Sequence, residues 1–156
     1  WKESQQRLPW VKGVRCIAMA PDGKTIAWGG HDNAVYLWER GTSKPPKILR
    51  GHQHWIESLV FHPDGKQLVI NSGDGTVKFW DLTQPRQEFR TLEGSVAAFG
   101  SGGELIVGRG QKLDAQEPIG APIKKQVPFD EEISALERSP DGKWLAMGGN
   151  KGLLKL

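Results

Sequence analysis

One short turn sequence recurs through the chain at regular spacing. Pro21-Asp22-Gly23-Lys24 returns at positions 63–66 and again at positions 140–143, and the second interval is close to twice the first. The second interval therefore corresponds to two periods. Apolar positions around each turn keep the same spacing: Val14, Ile56, Ile133 before it and Ile26, Leu68, Leu145 after it. A period of about 40 residues predicts a fold built from repeated supersecondary units.

Each unit has the pattern of short β-strands. In the second unit, residues 56–61 and 67–70 are rich in β-branched and large apolar residues, and the Pro-Asp-Gly turn separates them. A second turn at residues 72–75 leads into an alternating segment at 76–80, and a fourth strand is predicted at 87–91. Four short antiparallel strands per period, with no helical periodicity, predict an all-β chain of propeller blades.

Two dipeptides at the ends of the second unit resemble those of the WD-repeat family. Gly51-His52 precedes its first strand and Trp80-Asp81 closes its third. The first unit has Trp38-Glu39 and Pro9-Trp10 at the same places, and the last has Pro128-Phe129 in place of Gly-His. The resemblance implies a β-propeller fragment of three to four four-stranded antiparallel blades. We expect a lead-in and outer strand at 1-13 and blade repeats at 14-55, 56-95, 96-132 (degenerate) and 133-156 (truncated).

The third unit departs most from the pattern. Ser101-Gly102-Gly103 replaces the Pro-Asp-Gly turn, and Leu113-Asp114 is the candidate counterpart of Trp-Asp. A degenerate blade and a stretch absent from the sequence both explain this shortening. The segment from Pro118 to Pro122 resembles a connection found in bacterial WD-repeat proteins, which are often fused to signalling ATPases or kinases.

His52, Ser72 and Asp74 have the residue types of a Ser-His-Asp catalytic triad. The family resemblance implies a structural role instead: a buried hydrogen-bonded tetrad of His52, Ser72, Asp74 and Trp80 that fastens one blade together. We adopt the structural interpretation and expect no catalytic residues in the chain. Asp32, which precedes Trp38 as Asp74 precedes Trp80, keeps part of this network, because Gly30 replaces the serine.

Composition narrows the remaining function classes. The 21 basic and 18 acidic residues are scattered, which does not favour nucleic-acid binding. His52, His54 and His62 lack the spacing and the cysteines of a metal site, so we expect no metal or cofactor. Cys16 is the single cysteine, and no apolar run is long enough to cross a membrane, so we expect a cytoplasmic protein without membrane contact.

The expected function is a non-catalytic scaffold or sensor module that binds a protein or peptide. Alternatives are a propeller-type hydrolase or lyase and a nucleic-acid-binding module. Propellers close with about 4 to 8 blades, so we expect further blades, or a second chain, and a fused signalling domain from the parent chain. Loops entering first strands and loops joining second to third strands share one rim. The candidate partner-binding residues of that rim are Trp10, His31, Asn33, His54, Trp55 and Asn150.

Overall fold

The described part of the chain folds as four antiparallel β-sheets. A computed structural model describes residues 13–84, 89–100, 103–116, 125–139, 141 and 143–156, and within them every regular element is a strand. The first sheet contains β1 (Val14–Met19), β2 (Thr25–Gly30), β3 (Ala34–Glu39) and β4 (Lys47–Arg50). The second contains β5 (Ile56–Phe61), β6 (Gln67–Ser72), β7 (Thr76–Asp81) and β8 (Phe89–Glu93).

The third and fourth sheets repeat this order. The third contains β9 (Val96–Phe99), β10 (Leu105–Arg109), β11 (Lys112–Gln116) and β12 (Lys125–Pro128). The fourth contains β13 (Ile133–Arg138), β14 (Leu145–Gly149) and the short β15 (Leu154–Lys155). Neighbouring strands in each sheet are consecutive in sequence, which confirms the expected all-β fold of antiparallel propeller blades.

The Pro-Asp-Gly turns join first strands to second strands. Asp22 Oδ1 accepts hydrogen bonds from the backbone N–H groups of Lys24 (2.7 Å) and Thr25 (3.1 Å), and Gly23 adopts a left-handed φ of 66°. Asp64 repeats the first of these bonds with the N–H of Lys66 at 2.8 Å. In the fourth sheet Pro140 and Gly142 lie outside the described residues. The repeated sequence therefore specifies a turn in which aspartate satisfies backbone donors.

The third sheet corrects one expectation. Asp114 lies opposite Val107 and Gln116 lies opposite Leu105, whereas in the second sheet Trp80 lies opposite Leu68. The register therefore makes Gln116, and not Leu113-Asp114, the counterpart of the repeat tryptophan. The prediction was wrong because the β10–β11 hairpin closes directly between Arg109 and Lys112, which moves the dipeptide away from its apparent place.

The sheets fan out from their first strands. β1 contacts β5, β5 contacts β9, and β9 contacts β13. Between the first and second sheets, Leu37 and Leu49 pack with Ile56, Leu68 and Trp80 in one apolar core. The second and third sheets share another core, which includes Phe79 and Phe99. Each blade is thus held by burial of apolar faces between neighbours.

The outer face of the first sheet is partly uncovered. Ile17 is 69% exposed, whereas Leu59, its counterpart in the second sheet, is 8% exposed beneath the first sheet. The far face of the fourth sheet shows the same difference, since Leu154 is 68% exposed and its counterpart Val77 is fully buried. The described sheets therefore form an open arc of a propeller whose two end faces resemble uncovered blade interfaces.

Candidate functional site

The loops at the two ends of the strands differ in chemistry. We call the end that carries residues 52–55 and the turns at 31–33, 72–75 and 150–152 the entry rim, because the chain enters first strands there. The end with the Pro-Asp-Gly-Lys turns is the opposite rim.

Among the described residues, no helix is long and apolar enough to cross a membrane.

Asp74 organises the entry rim of the second sheet. Its carboxylate accepts hydrogen bonds from the side chains of His52 (Nδ1, 2.8 Å) and Thr76 (Oγ1, 2.6 Å). It also accepts from the backbone N–H groups of Gln53 (2.9 Å) and Thr76 (3.0 Å). One carboxylate thus connects the segment before β5 to the turn before β7.

The ionisation of this pair follows from its surroundings. Burial on its own would raise the pKa of Asp74, but hydrogen bonds from Thr76, Gln53 and His52 together hold that pKa well below its usual range. Burial lowers the pKa of the His52 imidazole, and the neighbouring Asp74 carboxylate offsets part of that shift. At neutral pH the pair is therefore an aspartate that accepts a hydrogen bond from a neutral histidine.

Ser72 and Trp80 relate to this network differently from the expected tetrad. Ser72 Oγ bonds to the backbone carbonyls of His54 (3.1 Å) and Trp55 (2.9 Å) and accepts from the Asp74 backbone N–H (3.3 Å). Trp80 packs in the core between the first two sheets, and its buried Nε1 has no hydrogen-bond partner among the described residues. The hydrogen-bonded group therefore contains Thr76, which the sequence interpretation missed, and does not contain the Trp80 indole.

The same geometry bears on catalysis and on metal binding. A triad requires the histidine to accept the serine proton, but Ser72 bonds to backbone groups, and the buried Nε2 of His52 has no hydrogen-bond partner in the described part of the chain. Within the described segments, no group of three or more His, Cys, Asp or Glu side chains is arranged to hold a metal ion. The polar network is built to connect backbone segments.

Trp55 lies at the centre of an aromatic cluster on the entry rim. The His54 ring lies 3.8 Å from the Trp55 ring, and the His31 ring meets it edge-on at 6.2 Å, centroid to centroid. The Arg15 guanidinium lies 5.1 Å from the centroid of the Trp55 ring, and Trp55 Nε1 donates to Glu57 Oε1 at 3.1 Å. These contacts fix the orientation of a half-buried tryptophan between the first and second sheets.

A glycine permits this packing. A Cβ atom added at Gly73 would lie 2.5 Å from His54 Nδ1 and 2.7 Å from Trp55 Nε1. Any side chain at this turn would therefore displace both rings. The sequence interpretation did not identify Gly73 or Arg15, because their importance depends on contacts across the sheet and between sheets.

The remaining rim candidates are separate from this cluster. Asn33 has a left-handed φ of 60° at the position that Gly75 holds in the second sheet, so its presence there has a conformational explanation. Asn150 Nδ2 donates to Glu132 Oε2 at 3.1 Å at the start of the fourth sheet. Trp10 lies outside the described residues.

Comparison with known proteins agrees with this geometry. The family model "WD domain, G-beta repeat" matches residues 5–39 and 43–81. Over 103 residues, or 64% of the chain, the sequence is 35% identical to nuclear distribution protein PAC1 of Gibberella zeae and covers 22% of that protein. It is 36% identical over 84 residues to the transcriptional corepressor LEUNIG_HOMOLOG of Arabidopsis thaliana, covering 54% of the chain and 11% of that protein.

Blades of four antiparallel strands that fan out from contacting first strands define an arc of a β-propeller. The repeat signature and the matching family model identify two WD repeats in this chain, at residues 5–39 and 43–81. The chain spans about a fifth or less of the length of these two relatives.

Proposed function

We propose that the chain is a non-catalytic interaction module that binds a protein or peptide on its entry rim. The observation that carries this proposal is the ordered cluster around Trp55, in which two imidazoles and a guanidinium surround a half-buried indole. Aromatic and arginine side chains in such arrangements dominate the binding energy of many protein interfaces. Neither relative is named as an enzyme: one is a nuclear distribution protein and the other a transcriptional corepressor.

The opposite rim offers less for a partner. Its repeated turns are small and polar, and the carboxylates of Asp22 and Asp64 already accept hydrogen bonds from the backbone N–H groups of Lys24 and Lys66. These polar groups supply little apolar area to bury, and the exposed apolar side chains beside the turns are Met19 (57% exposed) and Trp144 (60% exposed). The contrast between these polar turns and the ordered cluster around Trp55 supports docking at the entry rim.

We further propose that additional blades cover the two end faces of the arc. The exposure of Ile17 and Leu154, at positions that are buried inside the arc, favours coverage of both faces by further blades.

We also infer a cytoplasmic location, which the single cysteine supports. Burial raises the pKa of the Cys16 thiol to about 11, so this thiol stays protonated at neutral pH.

A matched pair of substitutions tests the docking rim. A partner is first isolated with the full-length protein and identified. Its Kd is then measured for Trp55→Ala and for Lys66→Ala, which lies on the opposite rim. Circular dichroism verifies that both variants are folded. Loss of an anchoring tryptophan costs about 2 kcal/mol or more, which is about a 30-fold weaker Kd. We expect this loss for Trp55→Ala only, and an equal or greater loss for Lys66→Ala would contradict the proposal.

A further inference from the structure

A polar cavity opens on the entry rim where the first strands of the second, third and fourth sheets meet. Its volume is about 400 Å³, within the range of sites for small ligands or side chains. The polar residues that line it are Glu57, Ser58, Ser95, Glu132, Ser134 and Asn150. The cavity lies beside the Trp55 cluster, because Glu57 belongs to both.

One sheet boundary next to the cavity is an exception to a packing rule. At the boundary between the first two sheets a glycine faces an isoleucine: a Cβ atom on Gly29 would lie 2.7 Å from the Cβ of Ile56. The boundary between the last two sheets repeats this with Gly108, whose added Cβ would lie 3.1 Å from Ile133.

The middle boundary reverses the sizes of these two residues. Asn71 pairs with Ser58 as Gly29 pairs with Cys16, so an asparagine occupies the glycine position. Gly94 precedes Val96 as Ile56 precedes Ser58, so a glycine occupies the isoleucine position. This boundary therefore lacks the close glycine–isoleucine contact that the other two boundaries share.

Asn71 lies behind Ser58, one of the residues that line the cavity, and has an unmet hydrogen-bonding atom. The residue is 1% exposed, and its Nδ2 donates to Ser58 Oγ, which lines the cavity. Its buried Oδ1 has no hydrogen-bond partner among the described residues. A buried acceptor without a donor is destabilising, so the contact between Asn71 and Ser58 leaves one polar atom beneath the cavity lining without a partner among the described residues.

The two glutamates that line the cavity also lack a cationic partner among the described residues. Within the described residues, neither Glu57 nor Glu132 forms an ion pair; Glu57 accepts from Trp55 Nε1 and Glu132 from Asn150 Nδ2. The described residues that line the cavity include no lysine or arginine. The site therefore presents acceptors and negative charge, without a cation of its own.

We propose that this cavity receives an arginine side chain of the protein partner. A guanidinium carries a fixed positive charge and five N–H donors in one plane, which suits a site with two carboxylates and hydroxyl and amide oxygens. The proposal rests on the docking rim proposed above and adds the chemistry of the group that the rim selects.

The test uses a minimal probe and a resonance at the site. The full-length protein is titrated with the peptide acetyl-Ala-Arg-Ala-amide, and with the same peptide carrying citrulline, which has nearly the same shape but no charge. The readout is the indole N–H resonance of Trp55 in a ¹H–¹⁵N NMR spectrum, assigned by its loss in Trp55→Phe. Because this N–H donates to Glu57, a cation bound by Glu57 should shift it. We expect a saturable shift with the arginine peptide and none with the citrulline peptide.

Three variants give the controls. The isosteric double variant Glu57→Gln/Glu132→Gln should weaken the apparent affinity at least tenfold. Glu137→Gln, an exposed glutamate nearer the opposite rim on the same strand as Ser134, should leave the affinity unchanged. Ser134→Phe places a large side chain at the cavity from an exposed position, and we expect it to abolish the shift by occupying the space.

Each remaining outcome contradicts the proposal. The cavity does not select arginine if wild-type protein shows no saturable shift, if the citrulline peptide binds equally well, or if the double glutamine variant keeps wild-type affinity. A partner that still depends on Trp55 would then show that the docking rim is correct and the arginine site is wrong. If neither Trp55→Ala nor the double glutamine variant weakens partner binding, both the docking rim and the arginine site are wrong.

Discussion

Replacement of Asp74 by alanine should destabilise the second blade more than any single change in the Pro-Asp-Gly turns. The substitution removes the acceptor for donors on His52, Gln53 and Thr76. Gln53 is exposed, so its N–H group can bond to water instead. His52 is 7% exposed, so its ring N–H loses its acceptor inside the protein.

The size of the effect follows from these donors. Stranding a buried donor costs about 1–3 kcal/mol, and hydrogen bonds to a charged acceptor contribute about 1.5–3 kcal/mol each. Since the exposed donor recovers most of its loss through water, we expect Asp74→Ala to lower the free energy of unfolding by about 2–4 kcal/mol. The assay is urea unfolding of the full-length protein at pH 7, with comparison of midpoints at equal m-value.

Asp64→Ala provides the matched control. Asp64 accepts a hydrogen bond from the Lys66 backbone N–H in a turn of the same sheet and contacts His62 Nδ1, but its side chain is 43% exposed, so water replaces it. We expect a clearly smaller loss for this variant. If Asp74→Ala shifts the midpoint no more than Asp64→Ala does, the network around Asp74 does not hold the blade together.

The pH dependence separates the two members of the pair. Because its folded pKa lies below its unfolded value, Asp74 stabilises the protein fully above about pH 4, and this contribution is lost on further acidification. The pKa of His52 is also lower in the folded state, so the unfolded chain binds the proton first and stability falls as pH drops below about 6.5. Between pH 7 and 5, wild type should therefore lose stability more steeply than His52→Asn, and parallel curves would contradict the burial of a neutral imidazole.

Two pairs of glycine substitutions test the packing of the blades and of the rim. Gly29→Ala should lower the free energy of unfolding by about 1–3 kcal/mol through overpacking against Ile56. Gly148→Ala should be almost neutral, because the nearest neighbour of its added Cβ would lie at 3.4 Å. Equal unfolding midpoints for the two variants would refute the proposed contact between sheets. Gly73→Ala should displace the rings of the Trp55 cluster and weaken partner binding at least tenfold, whereas Gly75→Ala, with φ 78° and open space around it, should reduce stability without changing the Kd of the folded protein. Equal Kd values for these two variants would show that partner binding does not depend on the cluster.

The repeat allowed most of the fold to be predicted. Residues at the same distance from each repeated turn, such as Ile26, Leu68 and Leu145, occupy equivalent strand positions because each blade must bury the same faces against its neighbours. The prediction failed in the third sheet, where a shorter hairpin placed Gln116 at the tryptophan position. Local spacing does not determine register when a turn changes length.

The site could be predicted only in part. Trp55 and His54 were identified because they precede a first strand, a position that the repeat fixes. Arg15 and Gly73 were missed, since a cation above a ring and a glycine beneath it are visible only after two sheets or two segments meet. The cavity beside Glu57 could not be predicted, because its lining residues come from three sheets and meet only once those sheets are packed.

The most direct test of the proposed function is the footprint of the partner on the full-length protein, measured by hydrogen–deuterium exchange with and without the partner. The entry-rim proposal predicts slower exchange in residues 52–57 and 72–75, with the turns at 20–25 and 62–67 unchanged. Protection of those Pro-Asp-Gly turns, with residues 52–57 and 72–75 unchanged, would show that the partner binds the opposite rim and would contradict the account.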